Sequence, residues 1–225
     1  MKCIWCKQSL TKNLTFMEIL NPFFVQEHRL CAKCQQKFEP LIGGCQLCGK
    51  PTVQPICSDC QYWQRKYPTY AFKHTALYHY NEGFHEWMEQ YKYLGDYQLR
   101  YTFSYELKRY FKDKKDCWIV PIPLSKEKRE KRGFNQVEGF LEAIGIKYQP
   151  ILSKKNDTLP QAKKGRYERL KMKQPFSLNI DGGLIANQDI ILVDDVYTTG
   201  RTLFYAAECL LPYHPKKIMT FSLAR

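Results

Sequence analysis

Two adjacent carboxylates, Asp194 and Asp195, follow four apolar residues, Ile190, Ile191, Leu192 and Val193, and lead into Val196, Tyr197, Thr198, Thr199, Gly200, Arg201 and Thr202. A short, branched apolar run that ends in turn chemistry predicts a buried central parallel strand with a polar site at its tip. The residues beyond it build an anion cradle. Thr198, Thr199 and Thr202 offer hydroxyls, Gly200 lets a ligand approach the backbone, and residues 202–211 open a helix whose first N–H groups attract a phosphate. Asp194 and Asp195 suit sugar hydroxyls or a hard cation such as magnesium. Helix capping explains single Thr or Asp residues, but it does not call for two neighbouring carboxylates. The fingerprint Gly-x-Gly-x-x-Gly is absent, and the one Walker-like string, residues 44–51, puts Pro51 where a magnesium-holding hydroxyl must stand.

The second chemistry is thiolate. Eight of the ten cysteines form four Cys-x-x-Cys pairs, Cys3/Cys6, Cys31/Cys34, Cys45/Cys48 and Cys57/Cys60. Residues 1–7 lack the apolar core of a signal peptide and no run of about 18 apolar residues occurs, so a soluble cytoplasmic chain is expected. In that compartment such pairs mean metal rather than disulfides. Each pair places two sulfurs on one ion, so four pairs predict two structural zinc sites. Pairing in chain order joins Cys3, Cys6, Cys31 and Cys34 at one ion and Cys45, Cys48, Cys57 and Cys60 at the other; an interleaved arrangement stays open. Gly49, after Cys48, fits a sharp knuckle turn. Cys117 and Cys209 sit in apolar segments as inert core residues.

Length and charge bound the rest. The 225 residues suffice for one ordinary core plus a small satellite. Residues 1–65 are expected to form a zinc module of double-ribbon type, with apolar mass from Leu14, Phe16, Ile19, Leu20, Phe23 and Phe24, and residues 66–225 a second domain. Lys and Arg outnumber Asp and Glu by 35 to 22. The excess falls to about +9 once two zinc tetrathiolates of about −2 each are counted, which still favours an anionic partner.

Strand and helix patterns alternate through the second domain. Residues 74–80 read as an edge strand, 84–94 and 97–111 as amphipathic helices broken at Gly95-Asp96, 117–122 as a buried strand, 134–144 as a helix and 216–223 as the closing strand. The recurrent aromatics of residues 87–111 are expected mainly in the core. This order predicts an α/β fold, a parallel sheet flanked by helices with ligands at the strands' carboxyl ends. Only a helix and a strand follow Thr202, so any cover over a ligand at that edge is expected from residues 70–110 or from the cysteine module.

Residues 118–124, Trp-Ile-Val-Pro-Ile-Pro-Leu, run into five basic residues within 126–132 and then Gly133-Phe-Asn-Gln136. The prolines force extended or turn geometry. Taken alone the charge run is a solvated face, but beside the acidic-pair strand Arg132 is placed to fork onto a diphosphate. Residues 190–202 resemble the phosphoribosyl-diphosphate (PRPP) signature of type I phosphoribosyltransferases. Together with residues 120–124, Arg132 to Gln136, Thr158-x-x-Gln161 with Arg166 and Arg169, and the cysteine module, the whole chain resembles the ComF family.

The resemblance implies a type I phosphoribosyltransferase-like domain that binds PRPP with magnesium, with Asp194 and Asp195 on the ribose, residues 196–202 around the 5′-phosphate, and a mobile loop at 158–173 offering Lys163 and Arg166. It also implies a cytosolic factor in natural transformation and DNA uptake, working beside a DNA-import helicase and single-stranded DNA. The enzyme so implied is a PRPP-dependent transferase of unnamed acceptor. Thr198 replaces the acidic residue that purine-type relatives use as a base, which leaves the general base unassigned. A non-catalytic adaptor with the same pocket and a single-strand binder using the basic loops are the competing readings. The cysteine spacing makes one prediction at once: elemental analysis should find about two zinc ions per chain, and a metal-free folded protein would contradict it.

Overall fold

The computed structural model describes residues 2–10, 20, 29–154 and 174–225. The cysteine-rich part contributes helices α1 (Ala32–Gln35) and α2 (Ser58–Lys66). The chain continues through β1 (His74–Tyr78), α3 (Glu82–Lys92), a 3-10 segment (Tyr97–Tyr101), α4 (Ser104–Phe111), β2 (Trp118–Pro121), α5 (Lys126–Arg132) and α6 (Gln136–Ala143). It ends with β3 (Leu152–Lys154), β4 (Phe176–Leu178), β5 (Asp189–Val196), α7 (Arg201–Leu210) and β6 (Lys217–Ala224).

Four strands form a parallel sheet in the order β1-β6-β5-β2. β5 lies inside it, with Ile191 opposite Ile119 of β2 and Met219 of β6. Its side chains alternate between two cores. Ile190 and Leu192 face a core built by α7 and by Trp63, Tyr70 and Phe72. Ile191 and Val193 face the other, built from α3, α4 and α6 with Phe84, Trp87, Leu107 and Phe140. A strand enclosed on both faces has no polar alternation, which is why its sequence is a continuous apolar run. The cysteine clusters divide in the same way: Cys45, Cys48, Cys57 and Cys60 join the first core, Cys3 and Cys34 the second.

Several local expectations change. Residues 97–111 are two pieces rather than one helix, a 3-10 turn and then α4. Asp96 caps the turn by accepting the Gln98 N–H, and the Thr102 hydroxyl oxygen is taken by the Trp87 indole N–H at 2.9 Å. The charge run is helical: α5 buries no residue, and Gly133 ends it in the left-handed region. The two-stranded antiparallel ribbon β3-β4 has no counterpart in the sequence reading, because three-residue strands carry too little periodicity to read. The residues joining its strands, including Lys163 and Arg166, lie outside the described residues, as do His28 and most apolar residues of 11–28. No helix among the described residues is long and apolar enough to cross a membrane.

One polar group is buried deep in the sheet. His74 of β1 lies with Nδ1 3.0 Å from Thr220 Oγ1 and Nε2 3.0 Å from Ser222 Oγ, and its ring packs 4.2 Å from that of Tyr197. Burial, and then the charge of Arg225, lowers its pKa to about 3, so it stays a neutral imidazole. The unfolded chain takes up a proton near pH 6.5 and the folded one does not, so this group's contribution to stability is complete above that pH and is lost as pH falls toward 3. His74→Asn is expected to be less stable than wild type at pH 7 by urea unfolding, with the gap narrowing by about 2 kcal/mol at pH 5. A gap that does not change with pH would contradict the neutral ring.

Candidate functional site

The carboxyl ends of β5 and β2 open into a cavity of about 370 Å³. β5 contributes Asp194, Asp195 and Val196, the following loop and α7 contribute Thr198 and Thr202, and the end of β2 contributes Ile122 and Pro123. Lys128 and Arg132 reach it from α5, Lys92 from α3, Lys154 from β3, and Tyr80 from the turn after β1. Four cationic side chains therefore surround two carboxylates, a balance that favours a polyanion carrying sugar hydroxyls.

Each side chain has a local cause. Asp195 Oδ2 lies 2.6 Å from Lys92 Nζ, and both side chains are only 15% exposed, so the pair is shielded from screening. Asp194 Oδ1 accepts the Asp195 N–H at 2.9 Å. Burial raises the Asp194 pKa to about 7, the adjoining Asp195 carboxylate adds to the rise, and the Asp195 N–H, Lys92 and Lys154 oppose it. Arg132 donates to Gln136 Oε1 at 2.8 Å and sits over the Tyr93 ring at 5.3 Å. Asn135 donates to the Ile122 carbonyl at 3.1 Å and accepts the Val137 N–H at 2.9 Å, so one buried amide caps α6 and fixes the end of β2. The segment from Arg132 to Gln136 is thus a set of supports for the cavity wall.

The expected residues separate into three groups. Asp194, Asp195, Val196, Thr198, Thr202 and Arg132 line one cavity. Tyr197, Thr199, Gly200 and Arg201 do not line it. Tyr197, one residue past β5, is 2% exposed and packs against Phe72 and His74 in the core that also receives Ile190 and Leu192. Thr199 and Arg201 are exposed, and the Thr199 carbonyl accepts the Trp63 indole N–H at 2.8 Å. Gly200 makes the turn at φ 79°, where a Cβ would lie 2.2 Å from the Tyr197 hydroxyl oxygen, so only glycine fits. Lys163 and Arg166 form the third group, outside the described residues. Lys92, Lys154 and Tyr80 escaped the sequence reading because each belongs to a separate element and no spacing links it to Asp194.

The thiolates assemble as two closed sets in chain order, Cys3/Cys6/Cys31/Cys34 and Cys45/Cys48/Cys57/Cys60, with all sulfurs of a set within 4.8 Å of one another. The interleaved pairing is thereby excluded. Cys6 and Cys31 Sγ are 3.7 Å apart, as are Cys48 and Cys57 Sγ. Tetrahedral bonds of about 2.3 Å require sulfurs about 3.8 Å apart, so both sets fit a zinc-sized ion. The centres are built alike. Cys31 N–H donates to Cys3 Sγ and Cys57 N–H to Cys45 Sγ, α1 and α2 start directly after Cys31 and Cys57, and the residues after Cys6 and Cys48 both take positive φ. Those residues are Lys7 and Gly49, so the knuckle turn expected for Gly49 recurs without glycine.

Fold and site define a phosphoribosyltransferase-type domain joined to a module of two four-cysteine centres, and residues 153–225 match the phosphoribosyl transferase domain. The chain is 36% identical over 227 residues to competence protein ComFC of Streptococcus pneumoniae, covering 100% of both chains. Against competence protein ComFC of Bacillus subtilis it is 32% identical, covering 93% of this chain and 88% of that one. Competence protein F of Haemophilus influenzae is 23% identical, with 100% and 96% covered. The chain belongs to the ComF family of competence proteins, in its ComFC branch.

The raised Asp194 pKa has a measurable consequence. Between about pH 4 and 7 the folded chain binds this proton more tightly than the unfolded one, so wild-type stability falls as pH rises through that window. Asp194→Asn is expected to match wild type near pH 4 and to exceed it by on the order of 1–2 kcal/mol at pH 8 in urea unfolding. Equal stability at both pH values would contradict the desolvated carboxyl.

Proposed function

We propose that the cavity binds PRPP with magnesium and that the chain serves the competence system as a phosphoribosyltransferase-type protein. One observation carries this reading: the acidic pair, the hydroxyls of Thr198 and Thr202, and the cations of α5 line a single hollow at the carboxyl edge of a parallel sheet. Asp194 and Asp195 hold the ribose hydroxyls. The loop at 198–202 and the first N–H groups of α7 hold the 5′-phosphate. Arg132, Lys128, Lys92 and Lys154 take the diphosphate, and Asp194 and Asp195 would hold magnesium, which would supply further positive charge there. Lys163 and Arg166 belong to the segment assigned to a closing loop.

Transfer to an acceptor needs little covalent chemistry from the protein, since the leaving diphosphate is stabilised by surrounding charge. A threonine hydroxyl is a poor base at neutral pH, so the Thr198 position favours an acceptor that loses no proton in the rate-limiting step, or a site that holds PRPP without turnover. Zinc is the assigned occupant of the two four-cysteine centres, on their spacing and sulfur chemistry. The DNA-import helicase and single-stranded DNA are the assigned partners, and the cytoplasm the assigned compartment, by relation to the competence proteins. The five basic residues of α5, a helix that buries none of its residues, favour a polyanion at this edge beside the cavity and support the single-strand reading as well.

Calorimetry with magnesium and PRPP is the test. One site per chain is expected, abolished by Asp194→Ala with Asp195→Ala and weakened about tenfold or more by Arg132→Ala, the loss of one charge-assisted contact. Absence of any heat would overturn the reading. Binding of single-stranded DNA that falls steeply with salt, yet ignores the acidic-pair substitutions, would favour the strand-binding role.

A further inference from the structure

The loop that follows β5 is held from behind by the second four-cysteine centre. Arg225, next after β6, donates Nε and Nη2 to Cys48 Sγ at 3.2 and 3.1 Å, while Nη1 donates to the Thr198 carbonyl at 3.1 Å. Its guanidinium lies over the Tyr197 ring, 4.8 Å from the centroid. The neighbouring carbonyl, that of Thr199, accepts the indole N–H of Trp63, which stands on the helix that carries Cys60. Two consecutive loop carbonyls are thus tied to groups anchored at one cysteine cluster.

In a planar trans peptide, the C=O of one residue and the N–H of the next point in opposite directions. Drawing the carbonyls of Thr198 and Thr199 toward the cysteine centre therefore turns the N–H groups of Thr199 and Gly200 away from it. Backbone donors fixed in this way are what an anion requires. The cysteine centre also supplies the charge that holds Arg225, since four thiolates around a divalent ion carry about −2. A guanidinium donating to a ligating sulfur is a second-layer contact of the kind that tunes and retains a bound metal.

We infer that Arg225 is a positioning residue that couples metal occupancy of the Cys45/Cys48/Cys57/Cys60 centre to the shape of the anion-binding loop at 198–202. Metal in the centre fixes Arg225, Arg225 and Trp63 fix the two carbonyls, and the loop donors stay aligned. An anion gripped by the loop in turn slows metal loss, because coupling between two sites is reciprocal. Lysine cannot substitute fully: it carries the charge but lacks a rigid fork reaching sulfur and carbonyl together. The anion arm of this inference rests on the proposed PRPP reading, whereas the loop and metal arms do not.

The experiment uses the full metal-loaded chain and its Arg225→Gln and Arg225→Lys variants. Amide hydrogen exchange at Tyr197 and Phe204, whose N–H groups donate to the Ala224 and Gly200 carbonyls at the two ends of the loop, should rise about tenfold in Arg225→Gln while β5 keeps its protection, on the scale of one lost charge-assisted hydrogen bond. Competition with a chromophoric chelator should show one of the two metals leaving severalfold faster in this variant and the other at the wild-type rate. Arg225→Lys should restore metal retention but not loop protection. Stripping metal from wild type should raise exchange at the same two amides, and this measurement decides the matter if a variant fails to fold. Unchanged exchange after both substitution and metal removal, or a uniform rise across the sheet, would overturn the coupling. Added magnesium and PRPP should slow release of that same metal in wild type; if PRPP binds wild type by calorimetry yet leaves release unchanged, the reciprocal coupling is wrong. If PRPP produces no heat at all, the PRPP reading fails while the exchange and chelator results still judge Arg225.

Discussion

Placing two carboxylates side by side at the end of a strand buried on both faces is costly unless positive charge is brought to them. That demand organises the site. Lys92 meets Asp195 at 2.6 Å, Lys154 and Arg132 close the same hollow, and Asp194, buried beside that carboxylate, keeps its proton to higher pH than an ordinary aspartate. The elements around β5 differ in sequence and in type, yet each delivers a cation or a hydroxyl to the same edge. A ligand with hydroxyls for the acidic pair and phosphates for the cations satisfies both sets at once.

The cysteine centres support this arrangement. Each joins one of the two cores that sandwich the sheet, and the stacked rings of Trp63 and Phe204, 4.3 Å apart, continue the core from α2 onto α7. Metal binding in small modules is folding free energy, and an ion held by these cysteines would stabilise the same hydrophobic contacts that carry the loop after β5. The similar construction of the two centres, down to the N–H donated to the first sulfur and the positive φ after the second, shows one local solution used twice.

Much of this was legible beforehand. The continuous apolar run of β5, the break at Gly95-Asp96, the four Cys-x-x-Cys pairs and the place of Arg132 all follow from local chemistry, because strands enclosed on both faces, helix breaks and metal knuckles are written in consecutive residues. Tyr197 was misread for a related reason. A polar-tipped ring in a binding motif suggests a ligand contact, but the chain leaving β5 breaks the strand alternation and sets the ring in the core of Ile190 and Leu192, which only the packing of Phe72 and His74 reveals. The charge run at residues 126–132 showed its composition but not its helix, since an exposed helix without an apolar face has no period to detect.

From the residues alone came the chemistry available: an acidic pair, a donor-rich turn, a basic segment and eight thiols in paired spacing. Which sulfurs share an ion, which lysines answer the carboxylates, and how Arg225 joins a cysteine to the Thr198 carbonyl were settled by tertiary structure. Those contacts link positions such as Cys48 and Arg225 that are remote along the chain, and a distance of about 3 Å between such groups is a property of packing, which no local pattern encodes.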